Sequence, residues 1–270
     1  MNYLKISLHT RGEASGTWMA KLLDLGFESF EEEANVLHAY IPQLEFSLTG
    51  FEEALRENPT TFTTEIIYPK NWNSIWESNF EPIVVADKVS VRASFHPKKN
   101  DFKYDLIITP KMSFGTGHHA TTWLMIKAML DINFSGKTVF DFGTGTGILA
   151  ILAEQLGAQS VHAIDIDSWS IENALENMSI NNCSHIDLKQ GEAPPQNGVF
   201  DIVLANINKH IILDNLDAIV AATAKGGFLL LSGLLADDEK DMKMALQNTG
   251  LTLQKIEARN NWICILLSKD

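Results

Sequence analysis

Apolar and polar residues alternate along Tyr3-Leu-Lys-Ile-Ser-Leu-His9, the period of a half-buried strand. The period then lengthens: Trp18, Leu22 and Leu25 share one face of a helix that Gly26 stops. Two strands follow, over residues 27–32 and 36–41, turning at Ala34-Asn35. A short helix over 51–58, closed by Pro59, and a last strand over 62–68 complete the order β-α-β-β-α-β. That order predicts a small ferredoxin-like α+β domain over residues 1–67, a layout that names no function by itself. Residues 68–92 read as a connector helix and linker. Within it Trp72, Trp76 and Phe80 recur at i, i+4 spacing as one aromatic stripe, which either packs into an interface or positions the small domain.

From there the pattern becomes that of a larger domain over 93–270. Residues 83–91 and 104–108 read as a pair of strands leading into it. A loop with two glycines, Phe114-Gly-Thr-Gly-His-His119, opens a helix over 123–130. Buried strands then alternate with helices at 147–156, 168–180, 210–223 and 237–248, and strands over 251–258 and 261–268 close the chain. Alternating strands and helices with a final hairpin predict a Rossmann-like α/β sheet of seven strands. It should be mostly parallel, with one antiparallel strand near its edge and helices on both faces.

The chemistry concentrates where the strand 139–142 runs into Gly143, Gly145 and Gly147 and then into an apolar helix. Strand, tight glycine turn and helix N-terminus are the start of a βαβ nucleotide site. A dinucleotide fingerprint would put its third glycine at 148, and that residue is Ile148. The pattern is D-x-G-x-G-x-G instead, beginning at Asp141, and the tight turn suits an adenosine with an amino-acid tail. A second strand ends at Asp165, 20 residues after Gly145, where a carboxylate can accept hydrogen bonds from both ribose hydroxyls. These features resemble the class I methyltransferases that use S-adenosylmethionine. A glycine turn alone also occurs in unrelated α/β proteins, and the acid at 165 separates the two readings. Amides and hydroxyls around Phe114, Gly115 and Thr122, at the start of the next helix, could hold a carboxylate. His118 and His119 are adjacent and point apart, with no carboxylate or cysteine at ligand spacing, so no metal is expected.

Composition narrows the partners. The chain has 270 residues, 45% hydrophobic and 20% charged, with a net charge of −13. Such a balance argues against direct binding to nucleic-acid phosphates and fits a basic partner. Cys183 and Cys264 form no C-x-x-C pair, which suggests a reduced, cytoplasmic setting. No apolar run reaches the length of a membrane helix, and no signal peptide is expected at the amino terminus.

A narrower resemblance follows from several motifs together. These are Phe114-Gly-Thr-Gly with His119 and Thr121-Thr122, Asp141 to Ile151, Asp165-Ile-Asp167, Glu176-Asn177, Ala205-Asn-Ile207 and Leu231-Ser-Gly-Leu-Leu235. With Asn71-Trp72, Trp76 and Pro82 in the linker, they are similar to the PrmA family, bacterial methyltransferases of the eleventh large-subunit ribosomal protein. Lys111, Ala120, Ser168 and the pair Asn208-Lys209 depart from the family pattern. The resemblance implies methyl transfer from S-adenosylmethionine to lysine side chains and the N-terminal amine of that protein, with the small N-terminal domain recognising it. It carries cofactor contacts to Thr122, Gly143, Asp165 and Asn206. Phe114, Gly115, Asp141 and Gly145 join the candidate set from the two glycine loops. Asn206, at the end of the strand 200–205, takes the catalytic role of accepting the amine's N–H bonds. Two other readings use the same motifs: a methyltransferase for a small molecule or a nucleic-acid base, and a module that senses the cofactor without chemistry.

Overall fold

In the first part of the chain, the alternation of apolar residues fixes which side of each strand is covered. A computed structural model describes residues 2–10, 12–67, 81–98, 101–109, 111 and 115–270. The chain divides into two units, Met1–Asn79 and Phe80–Asp270. The first contains β1 (Tyr3–His9), α1 (Glu13–Asp24), β2 (Ser29–Glu33), β3 (Val36–Pro42), α2 (Leu48–Glu57) and β4 (Phe62–Ile67). All pairings are antiparallel, in the order β2-β3-β1-β4, which is the ferredoxin-like arrangement. Ile6 and Leu8 of β1 and Leu37, Ala39 and Ile41 of β3 face a core closed by Trp18, Leu22, Phe27 and Phe51. Ser47 caps α2, its hydroxyl accepting from the Gly50 amide at 3.3 Å. The aromatic stripe of Trp72, Trp76 and Phe80 lies outside the described residues.

The second unit starts with a three-stranded sheet of β5 (Ile83–Val85), β6 (Val89–Arg92) and β7 (Tyr104–Ile107), in that order. The expected single strand over 83–91 is a hairpin, because Ala86 and Asp87 both take positive φ (49° and 51°) and reverse the chain. Residues 83–92 therefore belong to a sheet of this unit and not to a linker. Arg92 and Asp105, both nearly buried, hold β6 to β7 by a bidentate pair with Nε–Oδ1 and Nη2–Oδ2 at 2.9 Å.

Next come α3 (Ala120–Met129), β8 (Thr138–Phe142), α4 (Ile148–Gln155), β9 (Ser160–Asp165), α5 (Ser168–Ile180), β10 (Ile186–Gln190) and β11 (Phe200–Asn206). The chain finishes with α6 (Lys209–Asp214), α7 (Leu216–Ala222), β12 (Thr223–Leu235), α8 (Glu239–Ala245), β13 (Leu251–Arg259) and β14 (Trp262–Lys269). Seven strands form one sheet, β10-β9-β8-β11-β12-β14-β13, parallel through β12 with β14 antiparallel to both its neighbours. Successive residues of β11 serve opposite faces: Ile202 and Leu204 pack with α3 and α4, Val203 and Ala205 with α6 to α8.

Several boundaries differ from the periodicity. α3 begins three residues earlier than expected, because His119 caps it and turns Ala120–Thr122 into its first turn. The helix expected over 210–223 is two, broken where Asn215 leaves helical geometry and donates its side-chain amide to the Ile211 carbonyl at 3.0 Å. The helix expected over 237–248 shrinks to α8, preceded by a single 3₁₀ turn. No helix among the described residues is long and apolar enough to cross a membrane.

Candidate active site

The carboxyl ends of β8, β9 and β11 meet at one edge of the sheet, where parallel α/β sheets bind ligands. β8 is buried along Val139–Phe142 and lies between β9 and β11, so the turn that follows it is held on both sides. The amides of Gly143 and Thr144 both donate to the Ile164 carbonyl at 2.9 Å, pinning the turn to β9. Gly143 sits at φ 75°, and a Cβ there would stand 2.3 Å from the Ile207 side chain. Gly147, at φ 81°, ends the turn in left-handed geometry and admits Ala174 of α5 close by.

Asp165, the last residue of β9, spans two elements. Its Oδ2 accepts from the Gly145 amide at 2.8 Å and its Oδ1 from the Asp167 amide at 3.0 Å. Asp167 in turn caps α5 by accepting from the Trp169 amide. Asn206 ends β11, where its Nδ2 donates to the Thr122 hydroxyl at 3.4 Å. Its Oδ1 is buried with no hydrogen-bond partner among the described residues.

A cavity of about 740 Å³ opens over this edge. Gly143, Gly145, Asp165 and Asn206 line it, four of the residues singled out in the sequence. Thr122 is fully buried and touches the cavity through its bond to Asn206. Gly115 and Asp141 stand behind the lining: the Gly115 carbonyl accepts from the Thr146 hydroxyl at 2.6 Å, and Asp141 accepts from the Thr144 hydroxyl at 2.6 Å. Both therefore shape the glycine turn from below. Phe114 lies outside the described residues.

The cavity also brings in residues that the sequence reading did not put forward as site residues. Ile166 and Glu192 follow β9 and β10, while Ile207, Asn208 and Ile211 follow β11. Trp262, at the start of the antiparallel strand β14, meets the His119 ring edge-on with centroids 4.7 Å apart. The first five sit one or a few residues beyond strand ends, and extending the strand-end rule would have found them. Trp262 carries no such signal. His118 turns to the Glu81 carbonyl at 3.0 Å, whereas His119 reaches the Thr121 hydroxyl at 2.7 Å. Among the described residues no three His, Cys, Asp or Glu side chains gather as a metal site would require.

Behind the cavity, Asp141 is electrostatically strongly perturbed. Complete burial pushes its carboxyl up to about 7 against the Thr144 hydrogen bond, and the neighbouring Asp165 charge raises it further.

This strand order and switch-point cavity are those of the class I methyltransferases. A solved methyltransferase from Pyrococcus furiosus shares the fold at TM-score 0.50 and 19% identity, covering 60% of this chain and 88% of that one. Closer relatives narrow the class. The profile described as ribosomal protein L11 methyltransferase (PrmA) matches residues 8–270. A ribosomal protein L11 methyltransferase of Porphyromonas gingivalis is 43% identical, covering 93% of this chain and 89% of that protein. The crystal structure of a ribosomal protein L11 methylase from Lactobacillus delbrueckii subsp. bulgaricus superposes with TM-score 0.64 at 28% identity, over 70% of this chain and 99% of that one. The chain belongs to the ribosomal protein L11 methyltransferase (PrmA) family.

Proposed function

We propose that the chain transfers methyl groups from S-adenosylmethionine to amino nitrogens of ribosomal protein L11, on lysine side chains and the N-terminal amine. The observation that carries this reading is Asn206, which lines the cavity with its amide nitrogen engaged by Thr122 and its oxygen unpartnered. A buried acceptor left alone costs about 1–3 kcal/mol. An N–H of the incoming amine removes that cost, so the site favours an amine there.

The residues fit the cofactor. Both Asp165 oxygens keep acceptor capacity beyond their backbone bonds, enough for two ribose hydroxyls. Gly143 and Gly145, both at positive φ, line the cavity with bare backbone that a ligand can approach. Thr122, Gly115 and Asp141 hold these elements in place, and Phe114 precedes Gly115 in the sequence. When bound, S-adenosylmethionine supplies a methyl group already activated by its sulfonium.

What remains for the chain is to present a neutral amine in the right orientation. A lysine in water is mostly protonated, with a pKa of about 10.4. Phe142, Ile207, Ile211 and Trp262 give the cavity an apolar wall, which disfavours the ammonium form and lowers that value. Asn206 accepts an N–H, and its hydrogen bond strengthens as positive charge develops on nitrogen. In this reading the first unit recognises L11: acids outnumber bases over residues 1–67, which suits a lysine-bearing partner. The reaction then belongs to the cytoplasm, where ribosomal proteins are made. Incubation with labelled S-adenosylmethionine and intact L11, followed by mass spectrometry, tests the reading. Label on amino nitrogens of L11 is expected. A protein that binds the cofactor yet leaves L11 unlabelled, or labels another kind of atom, overturns it.

A further inference from the structure

Three asparagines, Asn173, Asn177 and Asn181, recur at i, i+4 spacing at the end of β9's following helix, Asn181 being the C-cap of α5. Asn173 accepts from the Asn177 side-chain amide at 2.8 Å, while Asn177 and Asn181 also reach backbone groups of other elements. Within β7 and just after it, amides point alternately: Ile108 donates to Arg92 of β6 at 2.8 Å, so the amides of Ile107 and Thr109 face the opposite edge. No strand among the described residues pairs with that edge. The asparagines take its place. Asn181 accepts from the Ile107 amide at 2.9 Å and donates to the Ile107 carbonyl at 2.6 Å, while Asn177 accepts from the Thr109 amide at 2.8 Å. Helical residues four apart rise about 6 Å, close to the roughly 6.6 Å between alternate residues of a strand, so side-chain amides on one helix face can imitate a neighbouring strand.

Asn177 does one thing that Asn181 does not. Fully buried, its Nδ2 also donates to the Thr146 carbonyl in the glycine turn at 2.8 Å. The Thr146 hydroxyl then donates to the Gly115 carbonyl on the loop that leads to α3. One side chain thus ties the end of β7, the turn after β8 and, through Thr146, the approach to Thr122 and Asn206. It does not line the cavity.

We infer that Asn177 is a positioning residue for the cofactor site, setting the glycine turn against the loop before α3 through Thr146, whereas Asn181 only completes the edge of β7. This rests on the cavity being the S-adenosylmethionine site. Holding both segments in register before the ligand arrives spares the ordering cost at binding. Losing the tie therefore weakens cofactor binding more than it slows the chemistry of the bound complex.

The test compares the parent, Asn177→Ala, Asn181→Ala and Thr146→Val proteins by melting temperature, by calorimetry with S-adenosylmethionine and by steady-state methylation of L11. Asn177→Ala should raise Kd and KM for the cofactor about tenfold, equivalent to about 1.4 kcal/mol, with kcat at saturation within about twofold. Asn181→Ala should melt lower yet keep Kd within about twofold. Equal effects of the two on Kd, or none from Asn177→Ala, overturn the inference. If Asn177→Ala fails to fold, Thr146→Val breaks the next link, and an unchanged Kd in that variant overturns it instead. A parent that does not bind S-adenosylmethionine at all refutes the reading of the cavity, which is a different failure.

Discussion

Replacing Asp141 with asparagine isolates the cost of holding a carboxyl group beneath the glycine turn. The group is wholly buried, and burial moves it from an ordinary 3.8 to about 7. From about pH 4 to about pH 7 the folded chain keeps a proton that the unfolded chain has released. Stability therefore falls as pH rises through that window and levels off above it. The full move is worth about 4 kcal/mol at 1.36 kcal/mol per pH unit, and about 3 kcal/mol of it lies between about pH 4.5 and pH 8. Asparagine has no proton to release and can still accept from the Thr144 hydroxyl. In urea titrations followed by circular dichroism, the stability of Asp141→Asn relative to the parent should rise by about 3 kcal/mol over that pH range. Parallel pH profiles for the two proteins would refute the argument and mean that Asp141 ionises without penalty.

Three further outcomes follow from the geometry. Asp165→Ala should weaken S-adenosylmethionine binding by about 1.5–3 kcal/mol in calorimetry, the range for a charged hydrogen-bond partner. It should also melt lower than the parent, because the Gly145 and Asp167 amides lose their acceptor. Gly143→Ala forces a Cβ to within 2.3 Å of Ile207 at positive φ, so both melting temperature and cofactor affinity should fall; an unchanged Kd would contradict the close approach. A chain truncated to begin at Glu81, keeping β5 to β7, should bind S-adenosylmethionine but lose methylation of L11. Methylation at the parent rate would show that residues before 81 do not recognise the substrate.

The strand β8, its glycine turn and the acid at Asp165 were legible in the sequence because each obeys a local rule. A buried run leads to glycines at positive φ, and the next strand ends in a carboxylate. Seven strands with a late antiparallel member followed from periodicity and the closing hairpin. What stayed hidden was set by distant partners. Ala86 and Asp87 reverse the chain without a glycine to mark it. Asn215 splits a helix whose apolar pattern runs on unbroken through Leu216 and Ile219. Trp262 enters the cavity only because β14 returns antiparallel beside β12, with Leu235 opposite it in the pairing. The asparagine face of α5 looks like an ordinary polar face until β7 is placed beside it. Asp141 shows a subtler gap: its position in the motif suggests the cofactor, while the structure puts it behind the turn.

Asn206 bears most directly on the account, because its unpartnered oxygen is the feature proposed to select an amine. The measurement is kcat of Asn206→Ala on L11 at saturating S-adenosylmethionine, with calorimetry establishing saturation for the variant. A hydrogen bond that tightens as nitrogen becomes positive acts in the transition state, so kcat should fall about a hundredfold, equivalent to ~2.7 kcal/mol, with a smaller change in KM for L11. A variant that folds, binds the cofactor and turns over at the parent rate would contradict the account and leave Asn206 as a residue that only joins β11 to α3.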